Sequence, residues 1–61
     1  MRIEIFARWT LRGRRWFFRI MAANGEAVAQ SEAYHNRGDA WETARSIRAN
    51  AFDAVIEEVA R

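Results

Sequence analysis

Arg14–Tyr34 reads RRWFFRIMAANGEAVAQSEAY, and it decides the fold. Its first half is apolar on both faces. Trp16, Phe18, Ile20 and Ala22 point one way, and Arg15, Phe17, Arg19 and Met21 point the other, because successive side chains of a strand alternate. A strand over Arg15–Ala23 then meets Asn24-Gly25, the strongest short hairpin signal, expected as a type I′ turn with positive φ at both central residues. A thinner strand returns over Glu26–Ser31, with Val28 its one large apolar residue.

Upstream, residues 2–10 (RIEIFARWT) alternate imperfectly. Ile3, Ile5, Ala7 and Trp9 share one face, with Glu4, Phe6 and Arg8 on the other, which reads as a first strand. Leu11–Arg14 is its connection to the second, and Gly13 supplies positive φ cheaply.

Downstream, residues 37–50 read as a helix. Asn36 is the candidate N-cap, and Asp39 sits near the positive helix end. Ala40, Thr43, Ala44, Ile47 and Ala51 form one stripe of small and apolar residues that lets the helix lie close on a sheet. Asn50 is a plausible stop. Residues 54–60 (AVIEEVA) are expected as a fourth strand, with a last helical turn as the alternative.

The order is therefore βββαβ: an α+β unit, one domain over residues 1–61, with an antiparallel meander and one helix. A chain of 61 residues is short for a self-sufficient core. There is no cysteine, so disulfides and thiolate metal sites are excluded, and the one histidine, His35, makes no metal site alone. Half the chain is apolar (51%) and eight residues are aromatic, more than one helix on one small sheet covers. Two copies that exchange their fourth strands would solve both problems, as a homodimer. No run approaches a membrane span and no signal-peptide core is visible. A cytoplasmic protein with no membrane partner and no cofactor is expected.

Trp16-x-Phe18-Arg19-Ile20-x-Ala22-x-Asn24-Gly25-Glu26, then Ser31-Glu32-x-Tyr34, Ala40, Ile47 and Asn50-Ala51-x-Asp53-Ala54 resemble the YegP-like domain, a small bacterial and archaeal family of uncharacterised function. The resemblance runs without gaps from Trp16 to Ala54. It implies a β(3)-α-β unit, two of which form a joined sheet with swapped C-terminal strands. The family occurs as single-repeat dimers or tandem repeats. One repeat here implies a strand-swapped homodimer. It supplies no catalytic residues. Phe52 where proline is common, Trp41 where a polar residue is usual, and the basic Arg12–Arg15 turn are departures from the pattern.

Function is less legible. Residues 1–19 hold six arginines against Glu4, a net +5, and residues 20–61 hold four against seven acids, a net −3. Every basic residue is arginine, which grips phosphate bidentately and stacks on rings. Arg8, Arg12, Arg14, Arg15 and Arg19, beside Trp9, form a candidate nucleic-acid site; the plainer reading is a solvated turn, with arginines paired to Glu57 and Glu58. Arg37, Trp41, Arg45 and Arg48 share one helix flank, a candidate partner-binding site; the plainer reading is a tryptophan folded over the sheet edge under arginine cover. Ser31, Glu32, Tyr34 and His35 hold the groups for acid–base work, but an extended run points them to opposite faces. No enzyme is expected. The leading function is a non-enzymatic homodimeric interaction or accessory module, with itself or an unidentified protein as partner. The alternative is a weak nucleic-acid binder using the Arg-rich first hairpin.

Overall fold

The computed structural model describes residues 1–60. Strands β1 (Arg2–Thr10), β2 (Gly13–Met21) and β3 (Ala27–Gln30) form an antiparallel meander in the order β1-β2-β3. Helix α1 (Arg37–Asn50) follows, then a short 3₁₀ turn at Ala51–Asp53. The chain is thus a small α+β unit, and no helix among the described residues is long and apolar enough to cross a membrane.

The β1–β2 register pairs Ile3 with Ile20, Ile5 with Phe18, Ala7 with Trp16 and Trp9 with Arg14. Cross-strand partners share a face, so these eight residues form one side of the sheet. Glu4 with Arg19, Phe6 with Phe17 and Arg8 with Arg15 form the other. The helix lies on the first side. Ala40 is fully buried there, Ala44 nearly so, and Thr43 and Ile47 are half-buried. The expected stripe is therefore the packed face from Ala40 to Ile47, while its last member, Ala51, is exposed in the 3₁₀ turn; Ala40 and Ala44 allow the close approach. Phe18 is 6% exposed beneath the helix and stacks on Tyr34 with ring centroids 6.2 Å apart. Tyr34 is fixed by two backbone hydrogen bonds with Trp16, each 2.8 Å, which extend the meander past β3.

The opposite side has no helix, yet Phe17 is equally buried at 6% and Met21 is at 8%. Arginine covers it. Phe6 and Phe17 stack at 5.4 Å. The Arg8 guanidinium lies 4.9 Å from the Phe17 ring centroid, and that of Arg19 lies 4.8 Å from Phe6. Glu4 holds Arg19 in place by accepting its Nε–H at 2.7 Å, and also accepts from Arg2 Nε at 2.9 Å.

The second hairpin differs from the type I′ expectation. The Gly25 N–H bonds to the Ala22 carbonyl at 3.0 Å, and the Ala22 N–H bonds to Glu26 at 2.8 Å. Ala22 and Glu26 thus close a three-residue loop, Ala23-Asn24-Gly25. Only Gly25 there has positive φ (87°). This is the arrangement of a turn followed by a left-handed glycine bulge. Asn24 contributes through its side chain, whose Oδ1 accepts the Glu26 N–H at 3.1 Å. In the first connection only Leu11 and Arg12 lie outside the ladder, and Gly13, at φ 105°, opens β2.

Helix α1 occupies the expected residues, but its ends work differently. Asn36 has extended N-cap geometry with no side-chain cap bond, and its amide instead reaches Asp39 at 3.3 Å. Asn50 does not enter the left-handed region. Its Nδ2 instead turns back and donates to the Ser46 carbonyl at 2.8 Å, one turn earlier in the helix.

Residues 54–60 form neither strand nor helix within the single chain. A strand needs a neighbouring edge to pair with, and among the described residues none pairs with this tail. Val55 (77%), Ile56 (98%) and Val59 (77%) stand in solvent.

Candidate functional site

Between α1 and β1 the two layers leave an open groove of about 370 Å³. Ile3, Ile5 and Ile20 form its floor, and Trp41, Ala44, Ile47 and Ala51 form its helical wall. The cause is local. α1 presents alanine at Ala40 and Ala44, so it sits close over Phe18, and Trp41 and Ile47 stand at the side of the groove without filling it. The isoleucines are left half-exposed. Arg2, Arg45 and Arg48 stand around the groove, so an apolar trough is bordered by cations.

Trp41 divides the helix flank. Its indole meets two guanidinium groups, Arg37 at 5.5 Å from the ring centroid and Arg45 at 5.4 Å. Three of the four flank residues therefore meet at the tryptophan, and Arg48 joins Trp41 and Arg45 at the groove. Trp41 keeps 37% of its surface exposed. Arg–Trp stacking of this kind is worth about 0.5–1 kcal/mol at an exposed site, enough to hold a rotamer and too little to explain a buried role.

The five arginines of the first hairpin are not one cluster. Arg8, Arg15 and Arg19 belong to the helix-free side of the sheet by register. Arg8 and Arg19 are occupied there in covering Phe6 and Phe17. Arg14 lies on the helix side, 5.3 Å from the Trp16 ring and paired across the ladder with Trp9. Arg12 sits in the turn and is exposed. Among the described residues, ion pairs join Glu4 to Arg2 and Arg19; Glu57 and Glu58 are exposed and pair with none of the hairpin arginines within the chain. Among the described residues, Glu4 shows the clear pKa displacement, held below its ordinary value by the hydrogen bond from Arg19 and then that from Arg2.

The Ser31–His35 segment has another duty. The Ser31 hydroxyl accepts the Phe18 N–H at 2.9 Å and donates to the Glu32 carbonyl at 2.8 Å. It completes the ladder where β3 ends, while Tyr34 packs on Phe18 and His35 is exposed at a bend. Among the described residues, no three of His, Cys, Asp or Glu come together as a metal-binding group.

A family model described as a domain of unknown function, DUF1508, matches residues 12–58. The chain belongs to this family. It is the same family as the YegP-like domains, whose resemblance was carried by residues 16–54. A UPF0339 protein of Treponema denticola is 43% identical over 42 residues, which span 69% of this chain and 72% of that protein. No solved structure gives a significant match. The family match begins at Arg12, so β1 lies wholly before it, and it continues through most of the exposed tail.

Sequence reasoning missed the groove and the partnership of Trp16 with Arg14. The groove depends on the β1–β2 register and the seating of α1, whereas Arg14 and Trp16, two apart on β2, share a face by alternation. Once Trp9 is set opposite Arg14, alternation alone puts Trp9, Arg14 and Trp16 on one face.

Proposed function

We propose that this member of the DUF1508 family is a non-enzymatic, cytoplasmic, homodimeric interaction module of one repeat per chain. The groove between α1 and β1 receives residues 54–60 of a second copy as an added strand. The exposed tail carries the reading. Val55, Ile56 and Val59 are as open as unfolded residues, and an apolar groove with a free strand edge stands unfilled in the same chain.

Size supports it. The chain exposes 5378 Å², whereas a compact monomer of its mass exposes about 4,100 Å². Its radius of gyration is 13.2 Å, against about 10.5 Å for a compact domain of this length. The excess area, roughly 1,300 Å², falls within the roughly 1,000–2,500 Å² per chain that obligate homodimers bury. Charge supports it as well: Asp53, Glu57 and Glu58 flank the tail's apolar residues, and Arg2, Arg45 and Arg48 border the groove. The non-enzymatic part of the reading rests on the Ser31 hydroxyl being committed to backbone groups.

Light scattering across a dilution series tests the dimer. The expected mass is about twice 7.1 kDa; a folded monomer at micromolar concentration rules it out. The double substitution Ile56→Glu with Val59→Glu changes two side chains that are largely in solvent in the single chain, so it isolates the tail. It should abolish the dimer. A dimer that survives it uses another surface.

A further inference from the structure

The tip of the β1–β2 hairpin is a second surface, separate from the groove. Trp9 is 78% exposed and Leu11 fully so, with Arg12 between the strands and Arg14 across from Trp9. Residues 5–25 contain no acid. Among the described residues no carboxylate pairs with Arg8, Arg12, Arg14 or Arg15, and Glu4 is committed to Arg2 and Arg19 at the far end of the strand. The tip is therefore positive, with no carboxylate among the described residues paired to it.

We propose that this tip binds single-stranded nucleic acid. Trp9 supplies an open indole on which an unpaired base stacks, and Arg12 and Arg14 take the flanking phosphates. Trp9 and Trp16 are diagonal neighbours on one face, about 7–8 Å apart at the backbone. Arg14 lies against the Trp16 ring at 5.3 Å, which fixes its guanidinium while leaving the N–H edge free for phosphate. A fixed guanidinium loses less entropy on binding than a free one. Thr10 braces the turn, accepting the Arg12 N–H at 3.1 Å and donating to the Gly13 carbonyl at 2.8 Å. Stacking demands exposed rings, and duplex DNA hides its base faces, so the single strand is the form this surface fits. Arg8 and Arg19, occupied over Phe6 and Phe17, are excluded from the site. The groove floor uses Ile3 and Ile5, at the other end of β1, so the tip does not depend on dimer formation.

Fluorescence anisotropy of labelled oligothymidine and oligouridine strands against the full chain, at low and at moderate salt, tests the proposal. A matched duplex and phosphatidylserine vesicles are the other arms. Either single strand should bind more tightly than the duplex, and preference between the two says whether DNA or RNA is the source. Trp9→Ala should weaken binding roughly 5- to 150-fold, the range that loss of one base stack produces, and Trp9→Phe should restore part of it. Arg12→Glu with Arg14→Glu should reduce the slope of log affinity against log salt by about 1.4 per tip. Circular dichroism on each variant separates lost binding from lost fold. No binding to either strand at low salt overturns the proposal. So does duplex binding as tight as single-strand binding, binding that Trp9→Ala leaves unchanged in a folded protein, or association with the vesicles alone.

Discussion

The two sides of the sheet bury equally large aromatics by different means. Phe18 and Phe17 are adjacent in sequence and each is 6% exposed. Phe18 lies under a helix of alanines and beside Tyr34; Phe17 lies under Phe6 and the guanidinium of Arg8. The first cover is apolar and part of the backbone architecture. The second is side chains only, held by cation–π contact and by one carboxylate, Glu4. A chain too short for two helical layers can thus close its second face with arginine stems, which cover apolar surface while their heads remain in water. The arginine richness of residues 1–19 has a structural use before any binding use.

The largest test of this contrast is a pair of truncations. Phe18→Ala should cost about 3–5 kcal/mol in urea unfolding, enough to unfold a small domain. Phe17→Ala should cost less, about 2–3 kcal/mol, because flexible arginine side chains can settle into the space whereas the helix cannot. Equal losses would mean that the arginine layer is as rigid as the helix, and the contrast would fail.

Next in size is the loop that joins β2 to β3 and so sets both faces. Gly25 has φ 87° and open space around its Cα, so Gly25→Val introduces strain without a clash. About 1–3 kcal/mol of stability should be lost, read as a lower urea midpoint with unchanged slope. An unaffected midpoint would mean that the loop relaxes to another turn.

How far the sequence could be read follows the same divide. Alternation placed Phe17 and Phe18 on opposite sides, and the alanine stripe located α1 at its observed residues, because both patterns are periodic and local. The turn at Asn24-Gly25 was placed correctly and typed wrongly. A three-residue loop with one left-handed glycine and a two-residue loop with two left-handed residues share the same dipeptide, and only the Ala22–Glu26 pairing separates them. The arginine layer was hidden in a run of charges that read equally well as solvated. Its signal was the cross-strand pairing of Phe6 with Phe17 and Arg8 with Arg15, which needs the register. Residues 54–60 are expected as a strand, and within the single chain they pair with no edge. Period-two sequence states that a segment suits a sheet but not which sheet, so a tail whose partner is another chain cannot be completed from one copy.

A smaller effect is expected at Arg8. Its guanidinium touches both Phe6 and Phe17, at 5.9 and 4.9 Å. Arg8→Ala should destabilise by about 1 kcal/mol through lost packing and cation–π contact, and Arg8→Met should recover the packing part. If Arg8→Ala is neutral, Phe17 is kept dry by Phe6 alone and the arginine is ornamental to the fold.

The smallest effect, and the one that isolates the clasp of the arginine layer, is at Glu4. Hydrogen bonds from Arg19 and Arg2 hold its carboxyl below the ordinary value. The unfolded chain therefore takes up this proton at higher pH than the folded one. The clasp contributes fully above the ordinary carboxylate range, and its contribution fades as pH falls through that range to the lowered folded value. Protonation frees Arg19, which lies 4.8 Å from the Phe6 ring, so the loss reaches the cover as well as the ion pair. The pair is partly exposed, with 41% of the Arg19 side chain and 28% of that of Glu4 open to water, so salt screens it and the effect is small. The other carboxylates titrate in the same range, which makes the difference between two proteins the quantity to measure. Urea midpoints of wild type and Glu4→Gln, followed from about pH 6 to about pH 3 at low salt, should converge as acid removes the charge that the variant lacks throughout. Curves that stay parallel would show that Arg19 covers Phe6 without its carboxylate, and that the helix-free side holds itself together by packing alone.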